Sequence, residues 1–422
     1  MRRVLVGSAA IVASLGWLQL APAFGFPVTA PAAMLDRMLG AQREAGPAGW
    51  VLLLMGEAVV VAAYFLAVEP RTRGMVAPFT YALGAWLLAG AVLMPVIGLI
   101  QGVPRANDPA SMHATFFMLN LGPLAAAESL VAWLLFGAIL AAGRTLDLRP
   151  RDVYLAAGAV VLAAALALAI PFLAARTNGD RVVVGKVTAL PQGPVFISVI
   201  ELPQPAGAVL GPHAHIPGFV LDVSGIATMA IAGSGTINVP PGDAVFTPSQ
   251  ISHDHENRAA VPAAILLAAL LVGLTVVLVA DAWRRRAPIL LALLLVLGVV
   301  ATINPLMNHW YFVGVRPAAA RGAAMLVPAA HRTFESENLT GLAAGPYTER
   351  LTYRWLASGE SAHVGGPAAI VVLDGEGSVT VGGTTTHLSA QAGVTVAGGA
   401  DATIQAGSQG ARILVVEVLP GV

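Results

Sequence analysis

Seven apolar runs divide this chain, at about residues 4–24, 50–68, 76–101, 115–142, 153–175, 261–282 and 287–304. Runs of this kind have one stable use. About 20 residues at 1.5 Å rise cross the hydrocarbon core of a bilayer, with the backbone polar groups satisfied inside the helix. The composition agrees, with 57% hydrophobic and only 11% charged residues and a mean hydropathy of +0.76. The expected fold class is therefore a multi-domain membrane protein with a seven-helix transmembrane part, the lipid bilayer being its first partner.

Arginines orient the runs. Arg2 and Arg3 precede the first, and Arg71 and Arg73 separate the second from the third. Arg144, Arg149 and Arg151 lie between the fourth and fifth, and Arg284, Arg285 and Arg286 between the sixth and seventh. Every second connection is thus a short basic loop, which puts the N-terminus in the cytoplasm and the C-terminus outside. The first run reads as a retained helix, longer than a usual signal core, although Ala21 to Ala23 resembles a cleavage site. Lys186 is the single lysine among 23 basic residues, a bias of G+C-rich bacteria, so the expected location is a bacterial plasma membrane. A net charge of zero offers no basic stripe for nucleic acid, which is excluded as a partner.

Two long stretches, 176–260 and 305–422, fall on the extracytoplasmic side. Both are rich in Val, Thr, Gly and Pro, with short alternating runs such as "GSVTVGG" and "RILVVEVLP", so each is expected to form an all-β domain. They also resemble each other. Gly193-Pro194 precedes Val220 to Asp222, and Gly345-Pro346 precedes Val372 to Asp374, with 29 residues from Gly to Asp in both. "NVPPGDAVF" and "SAQAGVTVA" continue the match. An internal repeat is expected.

Histidines concentrate in the first stretch. His213 and His215 in "GPHAHIPGF", and His253 and His255 in "ISHDHEN", are spaced by two, so on a strand each pair leaves one face. With no cysteine in the chain, a metal has to be held by His, carboxylate or Met. Four imidazoles on two strand pairs make a nitrogen-only metal site.

These residues resemble the two motifs of the cupin superfamily over about residues 180–258, with a degenerate second copy at about 335–420. The second motif is matched by Gly242, Pro248, His253 and Asn257, with Gln250 where Gly is usual. The first is matched by His213, His215 and Gly225, but its Glu is absent and Gly218, Phe219 and Val220 stand in its place. The resemblance implies two extracytoplasmic double-stranded β-helix domains, metal ligation by His213, His215 and His253, and a divalent ion that could be Zn, Cu, Fe, Mn or Ni. We read His255 as filling the place of the missing Glu, which makes four metal residues. In the second copy Gly365, Pro367, Ile404 and Ala406 align with the four histidines, so that lobe is expected to be metal-free. A cupin barrel needs a closing strand after its second motif, yet an apolar run starts at once here. Intramolecular pairing of the two cupin-like domains is the expected remedy for the open edge.

Four further polar groups stand in or beside the apolar runs: Glu57, Glu128, His113 and His309. Carboxylates at membrane depth suggest a proton or ion path, or hydrogen bonds between helices. Two functions from different classes remain open at this stage. One is a metal-dependent oxidoreductase, of dioxygenase type by the resemblance. The other is a non-enzymatic receptor or transport component whose β domains capture a metal or small-molecule ligand. A His-only copper site of a membrane oxidase is a third.

Overall fold

A computed structural model describes residues 2–39, 47–102, 113–146, 149–177, 180–188, 190, 193–280, 286–303, 306–323, 330–339, 342 and 346–420. Arg284, Arg285 and Gly345, which carried parts of the reading above, lie outside the described residues. The chain divides into two compact units. A helical unit comprises residues 1–170, 205–208 and 260–307, and a β unit comprises 171–204, 209–259 and 308–422.

The helices are α1 (Arg2–Leu20), α2 (Pro31–Met38), α3 (Pro47–Ala63), α4 (Val76–Leu88), α5 (Met94–Gln101), α6 (Pro123–Thr145), α7 (Pro150–Thr177), α8 (Val261–Val279) and α9 (Ala287–Ile303). The third is prolonged by a π turn at Tyr64–Val68, and another at Ala89–Leu93 joins α4 to α5. Each π turn stands just before a proline, Pro70 or Pro95. Proline lacks the N–H of the regular ladder and its ring crowds the carbonyl four residues back, so the helix widens rather than breaks.

Five helical segments are long and apolar enough to cross a membrane: Arg2–Phe24, Ala48–Arg71, Val76–Gln101, Pro123–Thr145 and Val261–Val279. Tyr154–Leu166 and Ala287–Ile303 are apolar but shorter. Five segments among the described residues therefore meet both criteria, where seven apolar runs were read from the sequence. The run at 115–142 also starts later than its hydropathy suggests. Residues 116–121 form a tight turn, and α6 begins only at Pro123, whose fixed φ and missing N–H suit a first helical turn.

In the helical unit α1 packs against α6 and α9 through small residues. A side chain at Gly16 would meet the Cα of Gly298 at 3.1 Å, so two glycines set how closely α1 and α9 approach. Arginines gather at one end of the bundle. Arg2 and Arg3 pair with Glu69 at 3.2 and 2.8 Å. Arg144 donates to the Tyr64 hydroxyl (2.7 Å) and to the backbone oxygens of Thr72 (3.2 Å) and Gly74 (2.9 Å).

The β unit holds three sheets. The strands are β1 (Arg181–Val187), β2 (Val195–Gln204), β3 (Val209–His213), β4 (Gly218–Ser224), β5 (Ala227–Ile231), β6 (Gly235–Val239), β7 (Ala244–Thr247) and β8 (His253–Glu256). Beyond α9 follow β9 (Asn308–Pro317), β10 (His331–Glu335), β11 (Tyr347–Leu356), β12 (Ser361–Gly365), β13 (Ala368–Val381), β14 (Thr384–Ser389), β15 (Ala392–Val396) and β16 (Asp401–Pro420). A first lobe combines the sheets β10-β2-β9-β4-β7 and β3-β8-β5-β6. A second lobe has the order β1-β11-β16-β13-β14, with β12 on β16 and β15 on β13.

The strand that closes the first lobe is β9, lying between β2 and β4. Its place is explained by the second lobe. There a single strand, β16, pairs through its first half with β12 and β13 and through its second half with β11 and β13. In the first lobe the same two roles fall to β8 and β9, which α8 and α9 separate in sequence. The helix pair is thus inserted into what is one continuous strand in the other lobe. Strands also cross the boundaries 176–260 and 305–422 drawn from sequence. Asn308–Pro317 belongs to the first lobe, and Arg181–Val187 pairs with β11 of the second. Ile197, Phe219, Tyr311 and Val313 share a core with Leu351, Tyr353, Val371 and Val416 of the second lobe. Both edges of β2 are covered within its own sheet, by β10 on one side and β9 on the other, so strands that follow α9 close what the sequence left open.

Candidate metal centre

His213 ends β3 and His215 follows two residues beyond it, while His253 and His255 both lie on β8. Antiparallel pairing sets His213 opposite His253, and β5 holds β8 on its other side, with Ile231 opposite His253 and Met229 opposite His255. Ring centroids of His213 and His215 each lie 4.6 Å from that of His253, and 5.5 Å from one another. One ligand atom from each of the three falls within 4.8 Å of the other two, the arrangement a single metal ion needs.

The backbone fixes which nitrogens face inward. The Nδ1 atoms of His213, His215 and His253 lie 2.9, 2.6 and 2.9 Å from the carbonyl oxygens of Gly211, Ile216 and Ile251. A carbonyl only accepts, so each Nδ1 carries the proton, and Nε2 keeps its lone pair for a metal. The Nε2 of His253 is buried without a hydrogen-bond partner. Burial lowers the His215 pKa to about 4 and lowers that of His253 as well. Near neutral pH these rings are uncharged, which is the state that binds metals. The residues present therefore fit a divalent ion.

His255 stands outside that group of three. It is fully buried, with both ring nitrogens unpartnered, and stacks on Trp310 with centroids 4.1 Å apart and an 18° tilt. Its ring centre is 5.0 Å from that of His253 and 5.5 Å from that of His213. Burial, followed by the charges of His253, His213 and His215, drives its pKa well down. It is a neutral ring beside the triad. The group of three donors does not include His255.

Other motif residues have structural work. Asn257 donates to the Gln204 carbonyl at 2.7 Å, and Gln204 donates to the His255 carbonyl at 2.9 Å, tying the end of β8 to β2. Gly225 and Gly242 take φ of +92° and +80°, and Gln250, at the position where Gly is usual, takes +63°. The left-handed backbone there explains the family preference. The Gln250 N–H also donates to the His215 carbonyl at 3.1 Å, so the motif-two loop holds a motif-one ligand. The β unit is cupin-like.

No family model and no curated protein matches the sequence. Among solved structures, 56% of this chain aligns with 89% of a cupin 2 conserved barrel domain protein from Leptotrichia buccalis, at 15% identity and a TM-score of 0.27. A bacterial pirin, YhhW, in complex with nickel(II) from Escherichia coli aligns over 58% of this chain and 97% of its own, at 12% identity and 0.27. A salicylate 1,2-dioxygenase from Pseudaminobacter salicylatoxidans aligns over 52% and 70%, at 11% and 0.29. The cupin-like description rests on the motif residues and strand pairings of this chain.

The cupin-like pairing corrects the alignment of the second lobe by one or two residues. Val364 and Ala402 are opposite each other, as are Val381 and Ala402. Val364 and Ala402 thus hold the places of His213 and His253, and Gly366 and Ile404 those of His215 and His255. These replace Gly365, Pro367, Ile404 and Ala406 in the comparison, and none offers a ligand side chain. His363, next to Val364, contacts the Thr403 hydroxyl at 3.0 Å instead.

The remaining candidates have separate surroundings. Glu128 is fully buried and accepts from the Thr29 hydroxyl at 3.1 Å, and its backbone oxygen accepts from Trp17 Nε1 at 3.1 Å. This is a hydrogen-bonded role between helical elements. Glu57 lines a cavity in the helical unit. His113 is buried in the turn before α6, where its carbonyl accepts from Asn120 at 3.2 Å.

His309 belongs to a cluster that sequence reasoning missed. Its Nδ1 lies 3.2 Å from Glu201 Oε1, while His331 Nε2 lies 3.0 Å from Glu201 Oε2, and Gln391 donates to the same oxygen at 3.2 Å. Burial raises the Glu201 carboxyl, but His309 and His331 outweigh it and hold it below the usual carboxylate range. The signal available in sequence was an acid, Glu201, amid the apolar run of β2.

Proposed function

We propose that this chain is an integral membrane protein of a bacterial plasma membrane whose extracytoplasmic, cupin-like β unit holds one divalent metal ion on His213, His215 and His253. One observation carries the reading: one ring nitrogen from each of the three histidines lies within 4.8 Å of the other two, and each Nδ1 sits beside a backbone carbonyl, which leaves Nε2 as the free lone pair of each ring. Three neutral donors leave coordination positions free for a small ligand or substrate. Bound there, the ion would polarise that ligand as a Lewis acid or, with a redox-active metal, exchange electrons with it. The chain's own part is to hold three imidazoles in one tautomer and to bury one side of the site with Trp310 and Phe312, which pack on His255 and His215.

Metal-dependent oxidoreductase chemistry, of dioxygenase class, is the reading an open three-His site supports. A capture role without chemistry is favoured by a different observation. The acids beside the histidines are engaged elsewhere, Asp254 accepting from the Ala230 N–H at 3.0 Å and Glu256 pairing with Arg258. Zn, Cu, Fe, Mn and Ni all remain compatible with the donor set.

Two features support the membrane placement. Five helices have the length and apolarity to span, and Arg2, Arg3 and Arg144 meet the α3–α4 connection at one end, as a cytoplasmic face requires. With seven crossings, as the arginine pattern implies, both β stretches lie outside. The test is metal stoichiometry of the purified protein, compared with a variant carrying both His213→Ala and His253→Ala. About one equivalent in the parent and near none in the variant is expected. Equal metal in both would reject these ligands.

A further inference from the structure

We propose that the helical unit binds a lipophilic amine, its ammonium end held by Glu57 and an aromatic wall. A cavity of about 620 Å³ lies among α1, α3, α4 and α6, within the range of small-molecule pockets, roughly 300–1,000 Å³. Leu, Val, Ile, Met and Ala side chains dominate its lining. Among the described residues Glu57 is its sole carboxylate, and no described Lys, Arg or His lines it.

The polar groups sort cleanly. Tyr81 donates its hydroxyl to the Val60 carbonyl at 2.7 Å, Trp86 donates Nε1 to Ser129 Oγ at 3.0 Å, and Ser14 and Ser129 donate to carbonyls of their own helices. Glu57 differs: its Oε2 is buried without a hydrogen-bond partner. A buried acceptor with no donor is expensive, and more so for a carboxylate. A ligand that brings a cationic N–H removes that cost. The aromatic lining, Tyr81, Trp86, Phe117 and Trp133, suits the same head group, because ring faces attract ammonium.

The wall is also held in an unusual conformation. Phe117 and Met118 take φ of +48° and +54°, a left-handed region that non-glycine residues enter at a cost and that clusters at ligand sites. The Phe117 ring packs on Trp86 with centroids 4.7 Å apart. It also covers Gly90, where any side chain would collide with it. Gly90 sits in the π turn of Ala89–Leu93, a feature that recurs at functional sites. An acceptor without a donor, a ring-lined cavity and two strained residues converge on one place. This inference does not depend on the metal centre.

The test uses the intact protein in neutral maltoside micelles, titrated with decylamine and, separately, with decanol, while tryptophan fluorescence is recorded. Saturable decylamine binding is expected, weakened about tenfold or more by Glu57→Gln, with decanol weak in both proteins. A second variant, Gly84→Leu, adds a bulky side chain at a lining position whose Cβ meets nothing within 4 Å, and it should weaken saturable decylamine binding. Equal binding of decanol and decylamine would show a site for alkyl chains alone and overturn the proposal. So would unchanged decylamine binding in Glu57→Gln or in Gly84→Leu.

Discussion

Glu349 provides a test of the β unit that can be worked through in numbers. It lies on β11 with Tyr347, Leu351 and Tyr353 on the same buried face, is fully inaccessible, and has no hydrogen-bond partner on either oxygen. Burial pushes its carboxyl from an ordinary 4.5 up to about 8. The folded protein therefore keeps a proton that the unfolded chain has lost. For a raised acid, stability is fully present below about pH 4.5 and declines as pH rises, the loss being complete near pH 8. At about 1.4 kcal/mol per pH unit, the loss reaches about 3 kcal/mol at pH 7. Glu349→Gln removes the titration while keeping the shape. Its unpartnered amide shifts stability by an amount that does not vary with pH. Thermal or chemical unfolding of the intact variant and parent, compared from pH 4.5 to 8.5, should show a gap that moves in favour of the variant by about 3 kcal/mol between pH 4.5 and 7 and by about 1 kcal/mol more up to pH 8, then levels off. A gap that stays flat over this range would refute the placement of Glu349 in a dry core.

Other outcomes follow from single residues. Gln250→Gly should retain metal and stabilise by up to about 1 kcal/mol, read as a raised unfolding midpoint, because glycine accepts the +63° backbone without strain. Trp310→Ala should cost about 3–5 kcal/mol by denaturant titration, since the ring is buried on the closing strand against His255 and donates to Gln204 at 3.3 Å. Gly16→Leu should lower the unfolding temperature in detergent, because the new side chain meets the Gly298 backbone; an unchanged temperature would contradict the close packing of α1 and α9.

Particular residues show where the sequence was readable. Helices were legible as apolar length, which is a local property. The His253/His255 pair was legible because a spacing of two on a strand fixes a common face, whereas His215 lies past the end of β3 and joins His213 through the loop that follows. The closing strand was not. Nothing local to Asn308–Pro317 says that it completes a sheet begun before the α8–α9 insertion, since strand partners are chosen by long-range pairing. His255 was placed by parity, which gives a face, while its distance from the other rings is set by the fold. The stacking on Trp310, which sets its ring beside the triad, comes from a residue 55 positions further on, outside any motif window. The Glu201–His309–His331 cluster was hidden for the same reason, its members being drawn from β2, β9 and β10. In the second lobe a slip of one or two residues entered because Gly-rich strands align in several registers, and backbone pairing of Val364 with Ala402 decided among them.

The most direct test of the metal centre is X-ray absorption at the edge of whichever ion copurifies with the intact protein. The account predicts an inner shell with imidazole scattering from three rings at about 2.0–2.1 Å, as for a zinc–nitrogen bond, the remaining positions being taken by light atoms other than imidazole. Substituting His215 should reduce the count to two, and substituting His255 should leave it at three. A shell lacking imidazole, or one unchanged when His215 is replaced, would contradict it.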